Sequence, residues 1–136
     1  MITIELNQDI FIPGQMLRGE CYWHTYLETH SRAAQLSIGW STQGRGDPEH
    51  DWYTQPLELI PHIAVPFEWE IPLKAPPSYE GDLISIFWEV TVVARGGDRL
   101  PHGFAARVEA IRQNSSPKEI VVKRFQVVSE LSLHNG

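Results

Sequence analysis

Three groups of side chains in this sequence have types and spacing that could do chemistry. They are a lone cysteine, two glutamates two positions apart, and an acidic run that leads into two aromatics. Cys21 is the only thiol, so any cysteine–histidine nucleophile would have to be built on it. It shares an alternating row with Leu17, Gly19 and Trp23, which reads as a buried, unreactive thiol. Glu68 and Glu70 project from one side of a strand about 7 Å apart, and such a carboxylate pair could act on a glycosidic bond. Their alternation with Phe67 and Trp69 favours a solvated outer face instead. In the acidic run Asp47, Glu49, His50 and Asp51, the three carboxylates offer oxygen ligands of the sort Ca²⁺ takes, but not at the spacing of an EF-hand loop. Asp47, Glu49 and Asp51 are therefore the one metal candidate, with a soluble loop as the plainer reading. The six histidines show no HExxH motif or close pair that would mark zinc. Arg45-Gly46-Asp47 reads as an ordinary turn. No phosphate-cradling glycine loop and no GxSxG elbow is present. Nothing in the chain calls for a cofactor, and no catalytic constellation emerges.

The aromatics are more informative. Trp23, Trp40, Trp69 and Trp88 fall on the apolar rows of their segments, which assigns them to a core. Trp52 and Tyr53 follow Asp51 and belong to no such row, which places them on an exposed loop or edge. Exposed aromatics anchor protein interfaces and stack on sugars. Trp52 and Tyr53 are thus the candidate partner-binding residues.

Period-two alternation runs through the elements that must position these residues, as in half-buried strands. Ile2, Ile4 and Leu6 share one face, and Leu17, Gly19, Cys21 and Trp23 share another. Ala34, Leu36, Ile38, Trp40 and Thr42 alternate with polar or small residues. So do Val65, Phe67, Trp69 and Ile71, and then Ile84, Ile86, Trp88, Val90 and Val92. Residues 120–128 read as a last strand. Pro13-Gly14, the stretch 43–48, the proline-rich stretch 75–81 and Gly96-Gly97-Asp98 punctuate these runs, as in a sandwich or barrel. Residues 104–113 read either as a helix, through Phe104, Val108 and Ile111, or as a strand, through Ala106, Val108 and Ala110. The strand is preferred. The stretch 113–117 is a loop rather than a domain boundary.

A length of 136 residues fits one domain, 1–136, with enough core to need no metal or disulfide. One cysteine allows no internal disulfide. The net charge of −6 disfavours nucleic acid and anionic membranes, which reward clustered Lys and Arg; Lys123-Arg124 is one small basic patch. The chain opens directly on a strand pattern rather than a signal peptide, and no stretch is long enough to span a bilayer. The expected location is cytoplasmic.

Three pieces, in order, carry a resemblance that covers most of the chain. From Phe11 to Cys21 a Pro-Gly turn leads into a strand with a small residue. From Leu36 to Asp47 a strand reaches an aromatic and a Gly-rich turn. From Phe67 to Gly81 an apolar strand, a proline-rich crossing and a Ser-aromatic-x-Gly motif precede the strand from Ile84. Together they resemble the arrestin-like superfamily, which takes in the arrestin N-terminal domain, the retromer arrestin-like subunit and bacterial sporulation-control proteins. Here Pro72, Pro76 and Pro77 would stiffen a crossing between sheets, and Gly81 would supply a backbone conformation that a Cβ disfavours. Tyr79 would cap the core edge with its hydroxyl wet.

The resemblance implies an all-β, immunoglobulin-like two-sheet β-sandwich of arrestin-like type. It also implies a non-enzymatic adaptor or scaffold that binds another protein through a sheet edge or end loops. Arrestins and the retromer subunit have two such sandwiches, and 136 residues hold one, so an uncovered flank invites a homo-oligomer. The basic pair that arrestins use to sense phosphate is missing near the N-terminus, so that role does not carry over. The alternative is a carbohydrate- or Ca²⁺-binding sandwich that uses the 47–53 loop. A small hydrolase would need a cleft of convergent titratable groups, which the sequence does not show.

Overall fold

The computed structural model describes residues 1–26, 29–95 and 118–129. Every regular element among them is a strand: β1 (Ile2–Leu6), β2 (Ile10–Phe11), β3 (Met16–Trp23), β4 (Arg32–Gly44), β5 (His50–Leu59), β6 (Val65–Glu70), β7 (Tyr79–Glu80), β8 (Ile84–Arg95) and β9 (Lys118–Val127). The choice between strand and helix over 104–113 lies outside the described residues, as do the turns at 96–98 and 113–117.

The strands form two sheets. The smaller has the order β1-β3-β6. The larger runs β2-β9-β8-β4-β5, with β7 paired to β8. Apolar rows from both sheets face each other and make the core. The small sheet contributes Ile2, Ile4, Leu17, Cys21, Trp23 and Phe67; the large sheet contributes Leu36, Ile38, Trp88, Val90, Val92, Phe125 and Val127. The alternation in the sequence is thus the alternation of these strands between core and solvent.

Residues 71–78 carry the chain from β6 in one sheet to β7 in the other, and specific bonds hold this crossing. The Trp88 indole N–H donates to the Pro76 carbonyl at 2.8 Å. The Ser78 N–H donates to the Val127 carbonyl at 2.7 Å. The Ser78 hydroxyl accepts from the Val127 N–H at 3.0 Å. The prolines fix the path, and the serine substitutes for a strand partner at the end of β9. Gly81 differs from expectation in its cause. Its φ is not among the positive values. A Cβ there would instead lie 2.5 Å from the Tyr79 ring and 2.8 Å from the Ile84 carbonyl oxygen, so space is what excludes a side chain. Tyr79 itself is exposed.

The sequence showed no strand at 50–59, yet β5 pairs with β4 over its whole length, from Arg32↔Leu59 to Ser41↔His50. Only the stretch between Gly44 and His50 is a loop, so the supposed 47–53 loop is half strand.

The two flanks of the sandwich differ. On the β1 side the Glu119 carboxylate accepts from the Ile2 N–H and from Arg32, both at 2.8 Å, joining β1, β4 and β9. The Arg32 guanidinium also lies 5.4 Å from the centre of the Trp23 ring. On the other side, β5 and β6 are the outer strands of their sheets, and among the described residues they meet through an aromatic stack rather than a hydrogen bond or ion pair.

Candidate functional site

The candidate site is this second flank. The Thr42 N–H donates to the Glu49 carbonyl at 2.9 Å, which sets the phase of the β4–β5 ladder. Antiparallel pairing alternates, so the odd-numbered residues of β5 turn their backbone groups towards β4. The even-numbered residues His50, Trp52, Thr54, Pro56 and Glu58 turn theirs outward. Pro56 has no N–H to offer, and it stands where none is needed by β4. Among the described residues β5 has no partner on its outer side.

The side chains of β5 divide the other way. Leu57 and Leu59 face the core, and Tyr53 and Asp51 continue that row towards the flank. Tyr53 stacks on Trp69 of β6, with ring centres 5.8 Å apart and planes 16° from parallel. Trp69 in turn meets Trp88 at 6.4 Å. These rings, with Trp40, Asp51 and Lys74, line an open cleft of about 470 Å³ beneath the proline-rich crossing. Trp23 and Trp88 are buried, whereas Trp40 and Trp69 are only partly so.

Trp52 and Tyr53 therefore share an open edge strand but not a face. Tyr53 is 42% exposed and belongs to the cleft. Trp52 is half-buried rather than exposed; its side chain belongs to the opposite row, beside Gly39 of β4, although the residue also borders the cleft. A Cβ on Gly39 would collide with the Asp51 carbonyl and press on the Trp52 backbone, so glycine is what lets β5 close on β4 here.

The other candidates are kept apart. The backbone N–H and carbonyl of Glu49 are both engaged by Thr42, Asp47 sits in the β4–β5 loop, and Asp51 lies at the cleft. No group of three His, Cys, Asp or Glu side chains among the described residues lies close enough to hold a metal ion. Glu68 pairs with Arg18 at 3.5 Å on an exposed face, as a solvated outer row would. Cys21 is fully buried, and burial pushes its thiol up to about 12. Arg124 lies over the Phe87 ring at 4.3 Å and pairs with Glu89 at 3.8 Å, so half of the small basic patch is occupied within the fold. Trp40 and Trp69 are the site residues that sequence reasoning missed. Their rows are apolar, and alternation does not show where a sandwich opens.

This architecture is the arrestin-like β-sandwich. No protein-family model matches the chain, and no curated protein matches it. Among solved structures it is similar to Spo0M, the sporulation control protein of Bacillus subtilis. The TM-score is 0.57 and the identity 11%, covering 98% of this chain and 51% of that one. The chain thus spans about half the length of the solved protein it matches, and at that identity the likeness is one of fold. No helix among the described residues is long and apolar enough to cross a membrane.

Proposed function

We propose that this chain is a non-enzymatic adaptor or scaffold domain that binds another protein through the β5–β6 flank. One observation carries the reading: β5 is a ten-residue edge strand with open backbone groups, and it borders an aromatic cleft. An extended segment of a partner can add to such an edge, and aromatic side chains supply most of the contact energy at interfaces. The arrestin-like fold supports the reading, since Spo0M is a control protein. The titratable groups point the same way. The one thiol is in the core, Glu68 is paired, and the cleft sets one carboxylate and one ammonium against five aromatics. The single free thiol fits a cytoplasmic setting.

The test is affinity capture with cross-linking, using the chain and a Trp52→Ala, Tyr53→Ala double variant. The expected result is a stoichiometric protein partner that the variant loses by at least tenfold, since aromatic hot spots contribute about 2 kcal/mol or more each. A partner held equally by the variant would place the contact elsewhere.

A second reading has its own observation. The partly exposed, near-parallel Tyr53–Trp69 stack is also suited to a sugar ring. A thermal-shift panel of glycans and Ca²⁺ separates the two, because a ligand that binds only the native state raises Tm.

A further inference from the structure

We infer that the open edge of β5 receives an extended, Lys- or Arg-bearing segment of the partner, which sets one cationic side chain over Tyr53 beside Asp51. This rests on the protein-binding reading above and adds the chemistry of what is bound.

The charge of the flank is the first argument. β5 and β6 together carry Asp51, Glu58, Glu68 and Glu70 and no Lys or Arg; of these only Glu68 has an ion-pair partner among the described residues, Arg18 of β3. Asp51 has no ion-pair partner among the described residues, although Lys74 lines the same cleft. The chain as a whole is at −6, so the approach of a basic segment is favoured from a distance as well. A second copy fits poorly. Pairing β5 with another β5 would bring like-charged strands together, and each copy already carries −6. An acidic or phosphorylated segment would meet the same repulsion.

Position is the second argument. The outward N–H groups at His50, Trp52 and Thr54 form a short run that ends at Pro56, which offers none. A bound strand is thereby confined to the part of the edge next to the cleft. Its cleft-facing side chains lie beside the row Asp51, Tyr53, Gln55 and Leu57. Opposite Asp51 and Tyr53, a guanidinium or ammonium finds a carboxylate and the face of an aromatic ring.

The probe is a fluorescein-labelled decapeptide of alternating Thr and Val with one central Arg, and a second with Glu in its place. Binding to the full chain is read by fluorescence anisotropy. The Arg peptide should bind about three- to tenfold more tightly than the Glu peptide, with the gap narrowing as salt is added. Asp51→Asn and Tyr53→Ala should each weaken the Arg peptide by a similar factor. Thr54→Pro, which removes one outward N–H, should abolish binding. If Thr54→Pro lowers Tm, the other two variants decide.

Equal binding of the Glu peptide, insensitivity to Asp51→Asn and Tyr53→Ala, or no binding at millimolar peptide each overturns the inference. So does sedimentation of the free chain as a dimer that Asp51→Asn strengthens. If the inference fails in any of these ways while affinity capture still returns a protein that the Trp52, Tyr53 variant loses, the adaptor reading stands. If capture returns nothing as well, both fall.

Discussion

A side chain's chemistry here follows from which face of its strand it occupies. Cys21 shows this most simply. Its alternation with Leu17 and Trp23 announces a core position, and the structure buries it completely. Burial disfavours the thiolate, which is why the group is pushed up to about 12. A thiol-directed reagent at neutral pH should therefore leave Cys21 unmodified in the native chain and label it only as fast as the chain unfolds. Prompt stoichiometric labelling of native protein would contradict its placement. Trp52 and Tyr53 show the limit of reading one residue at a time. The sequence marks both as outside the apolar rows, and both do lie on an open edge. Being neighbours in a strand, they must nonetheless point to opposite faces, and only the register shows that Tyr53 is the one against Trp69.

At the scale of elements, β1, β3, β4, β6 and β8 are legible because apolar residues alternate along each, and over most of its length that row is the more buried one. β5 is not, for a physical reason. Its inward row runs Asp51, Tyr53, Gln55, Leu57, Leu59, changing from polar to apolar as the strand passes from the open flank to the core. Pro56 further disguises it, since proline argues against a central strand and is harmless on an outer edge. The pairing that makes β5 a strand depends on Gly39. Gly39→Ala should cost about 1–3 kcal/mol in chemical denaturation, because the methyl has no room against the Asp51 carbonyl. A neutral substitution would show that β5 is less closely held than described.

The tie on the opposite flank makes a prediction in pH. Burial draws the Glu119 carboxyl upward. The Arg32 guanidinium, the Ile2 N–H and the amino terminus outweigh it, so the group titrates below its ordinary value. A carboxyl lowered by folding adds stability above its unfolded value, about 4.3, and that stability is lost as pH falls through the lower folded value. Glu119→Gln should therefore destabilise by about 1–2 kcal/mol at pH 7. The difference should shrink steadily below about pH 4.3. Melting curves of both proteins from neutral to acid pH check this. A gap independent of pH would mean that the carboxylate charge plays no part.

For the whole molecule, the sandwich is tied along the β1–β9 side by Glu119, while along β5–β6 the strands meet through the Tyr53–Trp69 stack at an open cleft lined by partly exposed tryptophans. The fold class was legible from the alternating rows and from the proline-rich crossing, which here is held by the bonds of Pro76 to Trp88 and of Ser78 to Val127. The open flank was not legible, since Trp40 and Trp69 sit in apolar rows and only the pairing of the strands shows that β5 is at the edge. The proposed function depends on β5 being free. Amide hydrogen exchange by NMR tests that directly, because protection reports hydrogen bonding residue by residue. In the free chain the amides of Asp51, Tyr53, Gln55 and Leu57 should be protected, while those of His50, Trp52 and Thr54 exchange quickly; with a bound partner, Trp52 and Thr54 should become protected. Strong protection of Trp52 and Thr54 in the free chain would mean that the edge is already covered, and the binding flank would have to be sought elsewhere.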